Sequence, residues 1–246
     1  MRSLENCLAL VTGASAGIGA ATARALHGAG CKLVLCARRQ DRLEALAAEL
    51  GGAEVVSLDV RDAEAVQAKL SHQPFDLLVN NAGLGLGVEK LHAGDPEEWS
   101  TMIDTNIKGV LHVYRAVAPG MLERGQGDIV TLGSVAGFQV YPGGNVYCAT
   151  KHAVRAIYEA MRVDSVGSGV RFTNIQPGMV ETEFSEVRFR GDEDKAKQVY
   201  DGMDPIRPED VADAILWAVT RPANINIGEI VIWAAAQAST SLVHRG

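Results

Sequence analysis

The sequence has little of what marks nucleic-acid-binding or disulfide-rich proteins. Its 246 residues include only 23 Lys and Arg against 30 Asp and Glu, a formal net charge of −7. Nucleic acids and anionic membranes are normally held by basic patches, so neither is expected as a partner. Four cysteines are scattered along the chain at positions 7, 31, 36 and 148. Without a regular disulfide framework, the protein is expected to be reduced and cytoplasmic.

The chain also lacks long hydrophobic runs and linkers. No apolar stretch approaches the ~18 residues that a membrane-spanning helix needs. The opening residues, MRSLENCLALVTG, lack the charged and apolar regions of a secretion signal. No repeat, low-complexity tract or Pro/Ser-rich linker divides the sequence. With 47% hydrophobic residues, we expect one domain over residues 1–246.

Short apolar runs alternate with segments of helical period along the whole chain. The runs are CLALV, CKLVLC, EVVSL, FDLLVN, GDIVTL, VRFTNIQ and EIVIW. Helical segments are predicted at about residues 20–29, 41–50, 62–70, 96–124, 145–167 and 208–220. Parallel strands need crossover helices. The pattern therefore predicts a doubly wound (Rossmann) α/β fold, with a seven-stranded parallel sheet covered by helices on both faces and ligands outside the carboxyl ends of the strands.

A polar interval interrupts this alternation between the sixth strand and the last helix. It spans about residues 179–204 and includes ETEFSEVRFRGDEDKAKQVYDGMD. A long insertion at the carboxyl edge of a sheet is usually a lid or substrate loop. A solvated pair of surface helices is the alternative.

A glycine-rich turn follows the first strand. Glycines permit positive φ and let the backbone approach a pyrophosphate, which the N-terminus of the next helix attracts. We therefore predict cofactor contacts from Gly13, Ser15, Ala16, Gly17, Ile18 and Gly19. A tight strand-to-helix turn without a ligand is the alternative.

The second strand ends in Arg38 and Arg39, where an NAD enzyme of this architecture usually carries an acid. Arginine suits a 2′-phosphate through charge-assisted hydrogen bonds. We therefore predict NADP(H) as the cofactor, with Arg38 the main contact. Alternatively, the two arginines are solvated and pair with Asp41 and Glu44 in the next helix.

Further cofactor contacts are predicted at the ends of the third and fourth strands. Asp59 and Val60 are placed to meet the adenine, and Asn81, Ala82 and Gly83 close the fourth strand beside the cofactor. Asp59 could instead cap the following helix. The Asn side chains could equally satisfy loose backbone groups.

Tyr147 and Lys151 lie four residues apart in a predicted helix, and therefore on one face. A tyrosine that exchanges protons near pH 7 to 8 needs its pKa lowered by ~2 to 3 units from about 10. One cation ~4 Å away supplies about that magnitude at an effective dielectric of ~20. The strand GDIVTL delivers Ser134 to the same edge, where its hydroxyl can hold a carbonyl oxygen.

Two other chemistries fit fragments of the sequence. Ser134 lies in a Gly-x-Ser-x-Gly pattern, but a serine hydrolase also needs an acid and a histidine downstream, and only His152 or His244 follow. Cys148 and His152 share a helix face and form half of a zinc site by spacing. No second half is evident, so no metal is predicted.

From the TGASAGIG turn through NNAG, Asn106, Ser134 and Tyr147/Lys151 to Pro177-Gly178, the chain resembles the short-chain dehydrogenase/reductase family over essentially its whole length. The resemblance implies that Tyr147 donates and accepts the proton and that Ser134 orients the substrate. It also implies that Lys151 lowers the tyrosine pKa and binds the nicotinamide ribose, while Asn106 holds a water in a proton relay. For Asn106, the alternative is an amide that satisfies a backbone kink.

The resemblance extends to the segment after the sixth strand. Pro177, Gly178, Val180 and Thr182 resemble residues that meet the nicotinamide carboxamide, although Pro-Gly could be only a strand-ending turn. The segments YPGGNVYCATK and PGMVETEFSEVRFRGDEDKAKQVY most resemble NADP-dependent 3-hydroxy acid dehydrogenases that oxidise serine and allo-threonine. This likeness implies a small hydroxy acid or semialdehyde, with Arg188 or Arg190 able to pair with its carboxylate. Either arginine could instead balance Glu186 and Asp192 in solvent.

Two features leave other functions open. The sequence departs from the 3-hydroxy acid group at Cys148 and in the tail WAAAQ, which can wall the substrate pocket. A bulkier aldehyde or ketone is therefore an alternative substrate, and a non-catalytic NADP-binding sensor is a further alternative. The family resemblance also implies a homotetramer. Apolar residues around most of the circumference of the predicted helices at 96–124 and 145–167 suggest the subunit contact.

Overall fold

A computed structural model describes residues 2–246 of the chain. Its strands are β1 Leu8–Thr12, β2 Lys32–Ala37, β3 Glu54–Ser57, β4 Leu77–Asn80, β5 Gly127–Leu132, β6 Val170–Pro177 and β7 Glu229–Ile232. All seven pair in parallel, in the order β3-β2-β1-β4-β5-β6-β7. Each strand lies within two residues of its predicted apolar run. The predicted parallel α/β fold is confirmed.

Helices connect the strands on both faces of the sheet. They are α1 Gly17–Gly28, α2 Gln40–Glu49, α3 Ala63–Leu70, α4 Pro96–Ile103, α5 Gly109–Arg124, α6 Asn145–Asp164, α7 Phe184–Arg188, α8 Glu193–Gln198 and α9 Pro208–Val219. The single helix predicted over 96–124 is divided, because a π-helical turn at Asp104–Lys108 separates α4 from α5. None of the helices within residues 2–246 has the length and apolar character needed to cross a bilayer.

The sheet separates two hydrophobic cores. One contains Leu26, Leu43 and Ile215 and joins α1, α2 and α9 to the sheet. The other contains Val113 and Tyr158 and joins α5 and α6 to the opposite face. Burying each aliphatic side chain of these cores contributes about 1.5 to 3 kcal/mol. The helices therefore stay packed on both faces of the sheet, which leaves the ends of the strands for a ligand.

The apolar residues predicted to form a subunit contact belong mostly to this chain's own core. Buried residues among them are Met102, Val110, Val113, Val117 and Met161, whereas Ile107 and Ile157 are partly buried. Only Ile103 and Leu111 are exposed. The helices need more than one apolar stripe because α5 packs against α3 as well as β4, and α6 packs against α4 as well as β6. Most of these apolar side chains are therefore explained by packing within the chain, and they give no evidence of a subunit contact.

Candidate active site

A cavity of about 570 Å³ lies along the carboxyl ends of the strands. Nearly all of the predicted site residues line it, namely Gly13, Ser15, Ala16, Gly17, Ile18, Arg38, Arg39, Asp59, Val60, Asn81, Ala82, Gly83, Ser134, Tyr147, Lys151, Pro177, Gly178, Val180 and Thr182. Gly19 and Asn106 do not line it. The fold thus brings both halves of the predicted site, the cofactor turn and the proton-transfer group, to one cleft.

The start of α1 suits a pyrophosphate. Its N-cap, Ala16, makes no side-chain hydrogen bond to the helix, and the first turn contains no acidic residue. The first backbone N–H groups and the positive end of the helix dipole therefore face the cavity without a competing anion from this turn. Gly13 has φ +67°, and a Cβ on it would lie 2.7 Å from Asn81 Nδ2. Only glycine fits there.

Gly19 has a packing role that differs from the predicted cofactor contact. A Cβ on this residue would lie 2.3 Å from the Gly13 carbonyl oxygen, which is backbone and cannot swing away. The glycine therefore lets α1 pack against the turn itself. The residue lies behind the lining of the cavity, and its contact with the cofactor stays a prediction.

The two arginines after β2 have different surroundings. Arg39 donates to Ser15 Oγ (Nε, 3.2 Å) and to Glu183 Oε2 (Nη1, 2.8 Å). The guanidinium of Arg38 is exposed, and residues 2–246 offer it no hydrogen bond or ion pair. Neither arginine pairs with Asp41 or Glu44, the alternative considered from the sequence. Both side chains therefore fit a 2′-phosphate at this end of the cavity.

Polar residues at the ends of β3 and β4 hold the wall of the cavity in place. Asp59 accepts hydrogen bonds from Arg61, which holds the pKa of this carboxyl below its usual range. The cap of α3 is Asp62, so capping does not explain Asp59. Asn81 donates its backbone N–H to Thr12 Oγ1 (2.9 Å), whereas Asn80 Nδ2 donates to Val110 O (3.0 Å). These asparagine contacts fasten β4 to β1 and α5.

The proton-transfer residues come from two elements that meet at the cavity. Ser134 lies two residues after the end of β5, and the first two turns of α6 carry Tyr147 and Lys151. Lys151 Nζ donates to Leu132 O at 2.8 Å and lies 6.0 Å from the Tyr147 ring centroid. The tyrosine ring packs against Phe184, with 5.3 Å between centroids. The phenol, the hydroxyl and the ammonium therefore share one buried corner.

The local electrostatics differ from the prediction that Lys151 alone makes the phenol acidic. Burial raises the pKa of Tyr147 well above its usual range, and the Ser134 hydroxyl and the Arg188 charge oppose that rise. Lys151 is not among the groups that lower it. Burial lowers the pKa of Lys151 itself to about 8. Burial is the largest cause of the shift in both groups, and it favours the neutral form of each.

Asn106 lies behind the cavity, in the π-helical turn between α4 and α5. Its Nδ2 donates to Leu84 O (2.8 Å) and to Thr150 Oγ1 (3.0 Å), and its Oδ1 accepts from Leu84 N (2.9 Å). The side chain thus ties the loop after β4 to α6. These bonds fit the alternative of an amide that satisfies irregular backbone, and they place Asn106 beside Lys151 across Gly83.

Comparison with known proteins identifies the family. Residues 7–193 match the family model described as short chain dehydrogenase. The chain belongs to the short-chain dehydrogenase family. It is 46% identical to the NADP-dependent 3-hydroxy acid dehydrogenase YdfG of Escherichia coli (strain K12), with 97% of this chain and 99% of that protein covered.

Two further relatives are similar over nearly their full length. The NADP-dependent 3-hydroxy acid dehydrogenase of Schizosaccharomyces pombe is 40% identical, with 100% of this chain and 99% of that protein covered. The solved closed form of serine dehydrogenase complexed with NADP⁺ has a TM-score of 0.93 and 45% identity, covering 97% of this chain and 100% of the other. The family resemblance expected from the motifs is confirmed.

In this short-chain dehydrogenase, the polar interval forms a cover over the cavity. It contains α7 and α8, as expected from the alternative of a helix pair, and its role as a lid or substrate loop stays a prediction. Arg190 donates to Glu98 Oε1 (2.6 Å) and Glu89 Oε1 (2.8 Å) rather than to Glu186 or Asp192. These two ion pairs hold the cover to α4, through Glu98, and to the loop before it, through Glu89.

Several residues of this dehydrogenase site are not among those predicted from the sequence. Tyr141 and Phe184 line the cavity beside Tyr147, and Gln237 Oε1 accepts from Met179 N at 3.0 Å. Gln237 belongs to the tail that the sequence marked as able to wall the pocket. No spacing signal identifies Phe184.

Within residues 2–246, no group of three or more His, Cys, Asp or Glu residues could hold a metal, and His152 Nδ1 contacts Cys148 O at 2.8 Å.

Proposed function

We propose that this protein is an NADP(H)-dependent oxidoreductase that interconverts an alcohol and its carbonyl, with a small 3-hydroxy acid or its semialdehyde as substrate. The observation that carries the proposal is the shared cavity. It joins the uncapped start of α1 and the free Arg38 at one end to Ser134, Tyr147 and Lys151 at the other. The names of the 40–46% identical relatives support the cofactor and the substrate class.

Bound NADP(H) supplies or accepts the hydride at the carbonyl carbon. Ser134 holds the substrate oxygen by a hydrogen bond from its hydroxyl. Tyr147 gives its phenolic proton to that oxygen during reduction and takes the proton back during oxidation. Lys151 keeps a positive charge one helical turn from the phenol and binds the cofactor ribose. The buried corner excludes bulk water, which strengthens each of these interactions.

The cofactor assignment predicts that Arg38→Ala weakens NADPH binding by about 10- to 100-fold, because a charge-assisted hydrogen bond contributes about 1.5 to 3 kcal/mol. NADH affinity should change little, since NADH has no 2′-phosphate. Fluorescence titration of both reduced cofactors measures the two dissociation constants. Equal weakening for both would contradict the 2′-phosphate contact. Cofactor oxidation with 3-oxo acids, semialdehydes and bulkier carbonyls tests the activity and the substrate range.

We also propose a cytoplasmic homotetramer. Exposed apolar side chains remain on α4, α5 and α6 at Ile103, Leu111 and Val163, and they provide a surface for a second copy. All four cysteines are free, which suits a reducing compartment. Light scattering at micromolar protein should give the mass of four chains. A single-chain mass would overturn the assembly without affecting the proposed chemistry.

A further inference from the structure

Arg188 lies in the wall of the cavity beside the catalytic tyrosine. Its guanidinium carbon is 5.6 Å from the centroid of the Tyr147 ring and 5.3 Å from that of Tyr141. The side chain is half-buried and comes from the end of α7. The two rings hold the guanidinium in place, and Arg188 lines the same cavity as Ser134 and Tyr147.

Arg188 has no carboxylate partner among residues 2–246. Its hydrogen bonds go to neutral acceptors, with Nη2 donating to Gly143 O (3.0 Å) and Nε to Gly87 O (3.3 Å). Nη1 donates to the Tyr141 hydroxyl. A guanidinium has five N–H groups, so one remains on each terminal nitrogen. The two oxygens of a carboxylate can accept from one N–H on each terminal nitrogen.

The acidic residues that line the cavity are already engaged elsewhere. Asp59 is paired with Arg61, and Glu183 is shared between Arg39 and Arg42 at the opposite end. Neither acid neutralises Arg188. Arg190, only two residues away, has its charge balanced by two glutamates and does not line the cavity. Two positive charges beside Tyr147 therefore lack a carboxylate partner, namely Arg188 and Lys151, which donates to Leu132 O. Of these two, only Arg188 carries the paired N–H groups of a guanidinium.

We infer that Arg188 binds the carboxylate of the substrate and makes the enzyme select hydroxy acids over neutral alcohols. This inference rests on the proposed function, and it attributes the preference for hydroxy acids to the side chain of Arg188. The carboxylate replaces water on the two remaining N–H groups, while the substrate hydroxyl reaches Ser134 and Tyr147. A neutral alcohol would leave the half-buried cation without its anion, and would therefore bind less well.

The test uses two substrates that differ in charge and by one methyl group, 3-hydroxybutanoate and its methyl ester, with NADP⁺. Arg188→Gln should lower kcat/KM for the acid about 10- to 100-fold, mainly through KM, and change the ester by less than about threefold. Arg188→Lys keeps the charge without the paired N–H geometry and should recover part of the acid activity. Arg190→Gln is the matched control and should leave the ratio of acid to ester unchanged.

Three outcomes separate the possibilities. An equal loss for acid and ester in Arg188→Gln would overturn the inference, because the arginine would then only fasten α7 to Gly87 and Gly143. If the wild-type protein oxidises only neutral alcohols, the carboxylate assignment fails while the oxidoreductase proposal survives. If neither probe is oxidised, calorimetric binding to the NADP⁺ complex decides. Arg188-dependent binding of the acid supports the inference, and equal or absent binding of the two probes overturns it.

Discussion

Tyr147→Phe is expected to lower kcat by about 10²- to 10⁴-fold, the range that a positioned general acid contributes. The substitution removes only the phenolic oxygen. The ring contact with Phe184 remains, and so do the hydrogen bonds from Lys151 to Leu132 O and from Ser134 to Pro177 O. NADPH affinity should therefore stay within about twofold of the wild-type value. Steady-state kinetics and NADPH fluorescence titration measure the two effects.

Tyr158→Phe provides the matched control for this experiment. Tyr158 lies on the same helix and is 2% exposed, but it does not line the cavity. Its variant should keep normal turnover. If Tyr147→Phe also kept normal turnover, another group would be the acid. A protein that binds NADPH yet turns over no carbonyl, with or without Tyr147, would be a sensor rather than an enzyme.

The features predictable from sequence are those set by local pattern. Apolar runs gave the strands to within two residues because a buried parallel strand needs continuous hydrophobic side chains. The glycine turn, Ser134 and the Tyr147/Lys151 spacing follow from chain positions next to strand ends, and the sheet brings those ends to one edge. Gly13 shows the limit of this reasoning, since only the structure reveals that Asn81 occupies the space of its missing Cβ.

Other features depend on contacts between distant parts of the chain. Arg188 and Arg190 are equivalent in the sequence, and their roles separate only because Glu89 and Glu98, about a hundred residues earlier, reach one of them. The π-helical turn that carries Asn106 has no signal in a continuous helical pattern. The distance between two charged groups, and how far each is buried, also depend on the tertiary structure. For that reason, the spacing of Tyr147 and Lys151 predicted their adjacency but not the dominant effect of burial.

Lys151→Met should abolish most turnover and, at pH 7, stabilise the fold by about 1 to 3 kcal/mol. The lysine is 8% exposed, and burial lowers its pKa from 10.5 to about 8. A difference of that size corresponds to about 3 kcal/mol of penalty on the buried ammonium. Loss of the hydrogen bond to Leu132 O offsets part of the gain.

The pH dependence identifies the cause of this stabilisation. Below about pH 8, native and unfolded states both hold the Lys151 proton, and the native state carries the full penalty. Between pH 8 and about 10.4 the unfolded state binds more protons, so wild-type stability gains from this group as pH rises. The advantage of Lys151→Met in urea unfolding should therefore shrink across that window. Lys108→Met, at an exposed ion pair with Asp104, should change stability by less than about 0.5 kcal/mol at every pH. An advantage of Lys151→Met that stays constant with pH would show that the native lysine carries no desolvation penalty, and that packing alone distinguishes the variant.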